Sequence, residues 1–319
     1  MKRIFAVLLV LLLAGGMAFA GGRQAGEFPS RPIRCIVPFG PGGGTDVFVR
    51  TVLRYTELSQ PIAVVNIEGA AGLVGAMEAF NSANDGYTIL AHMPMDLIVY
   101  SLSGQSAIPL WREFEQIAWA VQDFNGFFTN RQSGFTSATD LVNFARANPG
   151  VLTFGTVGAR TLNNLNSIRI VEALGISDLV TLVPYGGGAE IRTALLGNHV
   201  QVSSNAVGDV RDLIEAGDVI PLGIIGTQRT HLLPEVPTTV ELGINVTTPV
   251  PRGFFAPPGT PRYRLDYLAN AFRIALENPS TITELNRMFI DARFVDGVTG
   301  RQYTQQVYDD LRPAFERYF

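Results

Sequence analysis

Cysteine, histidine and net positive charge are all scarce in this 319-residue chain. Its one cysteine is Cys35, so an intrachain disulfide is excluded. That residue lies inside an apolar run and reads as a small buried hydrophobe, not a reactive thiol. The three histidines, His92, His199 and His231, are scattered without metal-ligand spacing. No Ser–His–Asp or Cys–His constellation can be assembled, and no metal or cofactor is expected. Charged residues make up only 16% of the chain and the net charge is −4. That balance argues against a nucleic-acid partner, which would want a basic face. It leaves room for an acidic ligand, because local donors can decide that. Beyond the first residues no second long apolar run occurs.

What is present begins with an export signal. Met1-Lys-Arg3 is basic, residues 4–13 are apolar, and Ala18-Phe-Ala20 is a small-x-small site. Together they read as a secretory signal peptide over residues 1–20. The apolar part is about half the roughly 20 residues that a membrane span needs. No cysteine follows it, so a lipid anchor is not indicated. Residues 21–27 read as a loose arm. The mature chain, with apolar content of 47% overall, can bury a sizeable core in one large or two medium domains.

The most informative stretch is Arg31-Pro-Ile-Arg-Cys-Ile-Val-Pro-Phe-Gly-Pro-Gly-Gly-Gly-Thr-Asp46. It predicts a strand over 33–37, a glycine-rich turn over 40–44 and a helix capped by Thr45 or Asp46. Backbone N–H groups of such a turn favour an anion, and the helix dipole adds to the effect. The turn carries no nucleophile, no lysine and, Asp46 apart, no metal ligand. It is built to hold a molecule, not to transform one.

Strand-like and helical runs alternate along the chain. Strands over 33–39, 62–66 and 88–92 enclose helices over 46–55 and 73–82, the pattern of a helix-covered parallel sheet. A second unit has strands over 152–156, 180–183, 200–204 and 220–226, with helices over 161–174, 189–196 and 208–216. Strand-like pieces at 114–120 and 126–130 and a helix over 137–147, with Ser137 as N-cap, lie between. The chain ends in helices over 262–277, 281–289 and 300–317, with a strand over 292–295 that returns to the first unit. The expected fold is α/β, with lobe 1 over 28–127 and 250–319 and lobe 2 over 128–249. Ligands of open α/β sheets sit outside the carboxyl ends of the strands. The turns at 40–44 and 157–160 both sit there, as two jaws of a cleft.

Several short motifs, in order, then carry a resemblance. They are Phe28-Pro-Ser-Arg-Pro-Ile-Arg34, Ile36-Val-Pro-Phe39, Pro41-Gly-Gly-Gly-Thr-Asp46, Asp85-Gly-Tyr-Thr88, Val183-Pro-Tyr-Gly186, Leu232-Pro-Glu-Val-Pro-Thr238 and Phe255-Ala-Pro-Pro-Gly-Thr-Pro261. The chain resembles the periplasmic solute receptors of tripartite tricarboxylate transporters, the Bug family. The resemblance implies a two-lobed, periplasmic-binding-protein-like fold of two βαβ domains. It implies capture of a small mono-, di- or tricarboxylate, delivery to membrane permease subunits, and a monomer in the periplasm. It implies two clamp turns, carried over here to residues 39–46 and 156–164, acting partly through ordered water. From the first come Phe39, Gly42, Gly43, Gly44, Thr45 and Asp46; from the second, Thr156, Gly158, Arg160, Thr161 and Asn164. Tyr185 borders the cleft, and Ser204 and Asn205 follow the strand over 200–204.

The chain departs from the family pattern in three places. Arg160 replaces a small residue, Asn164 stands where a histidine is common, and Thr248-Pro-Val-Pro-Arg252 lacks the usual aromatic. Arg160 is the one positive charge in either clamp turn, and arginine pairs bidentately with carboxylates. It is therefore the expected determinant of ligand preference, with Arg252 ranked behind it. Asp46 would repel a carboxylate, so it is expected to orient the turn. Two other functions fit the same lobes: a periplasmic ligand sensor and an exported enzyme on an acidic substrate. The second would need an acid or base in the cleft, for which Asp46 is the candidate.

Overall fold

In the computed structural model, residues 28–248 and 250–319 are described, so the signal peptide and the arm at 21–27 lie outside the described residues. Strand β1 (Ile33–Val37) leads through the glycine turn to helix α1 (Gly44–Arg54), then to β2 (Ile62–Asn66), α2 (Leu73–Phe80) and β3 (Thr88–His92). Helices α3 (Pro94–Leu102) and α4 (Leu110–Glu113) precede β4 (Glu115–Asp123). Then follow β5 (Asn125–Asn130), α5 (Ala138–Ala147), β6 (Leu152–Val157), α6 (Leu162–Ala173), β7 (Val180–Tyr185) and α7 (Gly188–Leu196). Next come β8 (Val202–Ala206), α8 (Val207–Ala216) and β9 (Val219–Ile224). The chain closes with β10 (Val250–Ala256), α9 (Arg262–Glu277), α10 (Pro279–Arg287), β11 (Ile290–Asp296) and α11 (Gly297–Tyr318).

The strands form two sheets, ordered β11-β4-β10-β3-β1-β2 and β7-β6-β8-β5-β9. Neither is purely parallel, which corrects the expectation from the alternating pattern. β1 pairs parallel with β2 and β3, and β6 with β7 and β8. β10 lies antiparallel between β3 and β4, and β5 antiparallel between β8 and β9. The physical reason is the entry route. Each of these strands enters from the other sheet, β5 one residue after β4 and β10 after the long connection that follows β9, without the crossover helix that a parallel partner would require. The runs β2-β1-β3-β10-β4 and β7-β6-β8-β5-β9 thus share one plan, although no close sequence repeat is visible.

Between β4 and β5 only Phe124 separates the sheets. Residues 125–127, counted with lobe 1 from the sequence, pair with β8 and β9 in the second sheet. Helix α3 has no counterpart in the sequence reading. Met95, Leu97, Ile98, Val99 and Tyr100 are all buried, so the segment lacks the polar face that marks a helix. Ser137 does cap α5: its hydroxyl accepts from Asp140 N–H while Asp140 reaches back to the Ser137 N–H, a reciprocal capping box.

Four apolar clusters hold these layers. Cys35, Phe48, Phe254, Leu268 and Phe272 belong to one face of the first sheet, and Ile36, Leu90, Phe114 and Phe255 to the other. Burial pushes the Cys35 thiol far up, so it stays protonated and inert. Leu162 and Leu165 of α6 join the second of these clusters, alongside Leu311 and Phe315 of α11. The two halves therefore share packed apolar contacts.

Candidate functional site

The first turn is organised by Asp46 from within the helix, not by a cap ahead of it. Helix α1 begins at Gly44, its N-cap is Gly43, and no side chain caps it. Thr45 and Asp46, expected as caps, are buried in the first helical turn. Asp46 Oδ2 accepts from Gly42 N–H at 3.0 Å, its Oδ1 accepts from Asn66 Nδ2 at 2.9 Å, and Arg50 Nε donates to it at 2.9 Å. Burial opposes ionisation of Asp46, but these bonds outweigh it and hold its pKa below the ordinary carboxylate range. Asn66 Nδ2 also donates to the Phe39 carbonyl. Gly42 sits at φ +79°, a conformation that favours glycine. With the carboxylate directed backward, the first-turn N–H groups of α1 keep the open, electropositive end that an uncapped helix presents.

A buried relay supports this turn from behind. Tyr100 Oη donates to the Ala71 carbonyl at 2.8 Å and accepts from His92 Nε2 at 2.9 Å, while His92 Nδ1 accepts from Met93 N–H. The ring is therefore neutral, and burial pushes its pKa down to about 3. Phe39 packs edge-on to His92 with ring centroids 5.5 Å apart.

The second turn is cross-bonded by its own side chains and to the neighbouring strands. Thr161 caps α6, accepting from Asn164 N–H at 3.1 Å. Asn164 Oδ1 accepts from Arg160 N–H, and Asn164 Nδ2 donates to Thr156 Oγ1 at 3.1 Å. Gly158, at φ +68°, donates to the Tyr185 carbonyl at 2.7 Å. Val157 N–H goes to Asn163 Oδ1, and Asn163 Nδ2 ties down both Ser204 Oγ and its carbonyl. Arg160 is exposed, and its Nη2 donates to the Phe319 carbonyl at 2.6 Å. The two jaws are thus unequal. The first helix start has no side-chain cap, whereas the second is capped by Thr161 and cross-bonded by Asn163 and Asn164, with an arginine that faces α11.

Ser204 and Asn205, expected at the end of a strand over 200–204 and just after it, both lie within β8, which runs to Ala206. Asn205 and Ser203 share one face, are fully buried, and leave both amide atoms of Asn205 and the Ser203 hydroxyl without partners among the described residues. The strands at the crossings between the sheets carry charge that the sequence reading gave little weight. Arg252 of β10 is 6% exposed and ion-pairs through Nη2 with Asp123 of β4, itself 4% exposed. A Cβ on Gly44 would lie 2.7 Å from Arg252 Nη1, so the guanidinium abuts the start of α1. A Cβ on Gly188, at the start of α7, would lie 2.6 Å from Asp209 Oδ2. A polar residue closing an apolar strand, as Asp123 does, was the available signal. Among the described residues no group of His, Cys, Asp and Glu could hold a metal ion.

Comparison with known proteins decides the class. The family described as "Tripartite tricarboxylate transporter family receptor" matches residues 51–312. The chain belongs to this family. A UPF0065 protein of Bordetella pertussis is 32% identical over 291 residues, covering 87% of this chain and 85% of that one. Protein BugT of the same organism is 31% identical over 251 residues, covering 76% and 74%. MatC from Rhodopseudomonas palustris with bound malate superposes with a TM-score of 0.79 at 22% identity, covering 90% of this chain and all (100%) of that one. A second R. palustris protein, with adipate, gives 0.82 at 22% identity, covering 91% and 98%. These two structures share the fold. As a member of this receptor family, the chain has the two-domain fold of the periplasmic binding protein BugD, on which it superposes.

Two acids near Arg252 give this receptor a pH signature. Burial pushes Asp96 up to about 7 and Asp209 up to about 6, with Arg252 opposing both shifts and Asp123 adding to that of Asp209. The folded state therefore binds protons that the unfolded chain has already released. The stabilisation they give is fully present below the unfolded carboxylate pKa of about 4 and is lost as pH rises through the folded values. Unfolding free energy measured in urea is expected to fall between about pH 4 and pH 7. The slope should flatten in an Asp96→Asn, Asp209→Asn double variant; an unchanged slope would show that other groups carry it.

Proposed function

We propose that this chain is an exported, periplasmic solute receptor that captures a small organic acid between its two lobes and delivers it to a tripartite tricarboxylate transporter permease. The observation that carries the reading is the uncapped N-terminus of α1, held open at the carboxyl end of β1 by Asp46. An anion is the ligand that such an end favours. Family membership and the malate and adipate bound by two proteins of the same fold support a carboxylate. In this reading the backbone N–H groups of Gly44, Thr45 and Asp46 take one carboxylate, with Gly42 and Gly43 allowing close approach. Thr156, Asn164, Tyr185 and Asn205 form the opposing wall.

The test is a calorimetric and thermal-shift panel of mono-, di- and tricarboxylates, with a neutral sugar and an amine as controls. An acid should bind one to one, raise the melting temperature by mass action, and be recovered chemically unchanged. Binding of the sugar or the amine with no response to any acid would overturn the reading, and turnover of the bound acid would favour an enzyme.

A further inference from the structure

We propose that Arg252 is the specificity-determining residue of this receptor, taking a ligand carboxylate on its unpaired N–H groups beside the start of α1, with Asp123 limiting how strongly it does so. The proposal deepens the carboxylate-receptor reading and rests on it.

The hydrogen-bond set of Arg252 is incomplete. A guanidinium carries five N–H donors and no acceptor. Arg252 engages Asp123 through Nη2, while its buried Nε and Nη1 have no partner among the described residues. At 6% exposure, water has little access to complete the set. A buried donor without an acceptor is costly, so the arrangement calls for an acceptor that arrives with the ligand. Position says which kind. Gly44 lacks the Cβ that would stand 2.7 Å from Nη1, and this gap lets the guanidinium lie against the first residue of an uncapped helix. Two sources of positive potential therefore meet at one point, and among the described residues no acidic side chain is bonded to Nε or Nη1 there. A carboxylate fits both, accepting from the helix N–H groups and from the arginine fork.

Asp123 is the built-in competitor. It stands at the end of β4, one residue before the chain crosses to the second sheet, and its carboxylate shares the same cation. On the other side, Asp209 of α8 also lies within reach of the Arg252 charge. Arg160, by contrast, is exposed and bonded to Phe319.

The experiment titrates malate and adipate calorimetrically into the parent and four variants, with thermal melts to follow folding. Arg252→Gln should weaken binding of whichever acid the parent takes by roughly 10- to 100-fold, and Arg252→Lys should recover only part, because lysine lacks the planar fork. Asp123→Asn, which frees the cation, should tighten binding by a few-fold. Arg252→Gln leaves Asp123 buried without its counter-charge, so stability is expected to fall. The double variant Arg252→Gln, Asp123→Asn removes that burden and should melt near the parent while binding as weakly as Arg252→Gln. Parental affinity in Arg252→Gln, or its return in the double variant, would overturn the proposal and leave Arg252 a structural partner of Asp123. Weaker binding by a well-folded Asp123→Asn protein would also overturn it. A parent that binds neither malate, adipate nor any acid of the wider panel would instead sink the receptor reading, and this proposal with it.

Discussion

The Asp46→Ala protein is expected to fold with a stability about 2–3 kcal/mol below the parent, the range for losing hydrogen bonds to a charged group, and to lose most of its ligand affinity. The carboxylate is 3% exposed and is what fixes Gly42 and Asn66 around the turn. Its ion pair with Arg50 adds little, because the arginine is 49% exposed and solvated. Removing it takes the acceptor from the Gly42 N–H, leaves Asn66 Nδ2 with the Phe39 carbonyl alone, and releases the turn that keeps α1 open. Asp46→Asn, which retains shape without charge, should lie between the two. The folded pKa is depressed, so this stabilisation is present above the unfolded value of about 4 and disappears as pH falls through the folded one. Parent and Asp46→Ala unfolding curves should therefore differ at pH 7 and converge in strong acid. Undiminished ligand affinity in a folded Asp46→Ala protein would show that the turn does not bind.

Phe254→Ala should be the more damaging change to the fold, at about 3–5 kcal/mol for a large-to-small substitution in a packed core. Phe254 is fully buried in the middle of β10, stacks on Phe272 with centroids 4.1 Å apart, and leans on Phe48 at 5.8 Å. The neighbouring rings offer no polar group to hold water in the space left behind. For a domain of about 150–250 residues, each kcal/mol moves the melting temperature by roughly 2–4 °C. A fall of about 6–20 °C is therefore expected in a thermal scan. A change of a degree or two would mean that the phenylalanine cluster collapses readily around the gap.

Much of this architecture was legible, and the misses have physical causes. β2 and β3 follow their sequence bounds because short apolar runs with flanking turns mark them on both sides. Ser137 and Thr161 announce α5 and α6 because their side chains satisfy local N–H groups, a short-range property. Sheet direction depends on which segments cross between lobes, and no local pattern encodes that. The cation near the site illustrates the same limit. Arg160 lies in a conspicuous glycine-flanked turn, yet only the approach of α11 shows that its guanidinium goes to Phe319. Arg252 lies in a strand, and the role proposed for it rests on its pairing with Asp123, far away in the sequence, and on the missing side chain at Gly44. Helix α3 was hidden because it is buried nearly all round.

The strand order of the first sheet has a consequence for how the chain is made. β4 is flanked on both edges by β10 and β11, which come from the far end of the sequence. The second sheet, by contrast, is assembled entirely from β5 to β9, a continuous stretch. As the chain emerges from its N-terminus, the later half can complete its sheet while β4 still has two bare edges. Unpaired strand edges are templates for misassociation. The vulnerable interval of biogenesis is thus the wait between the emergence of β4 and the arrival of β10 and β11, and a holding chaperone would find its target in the earlier half.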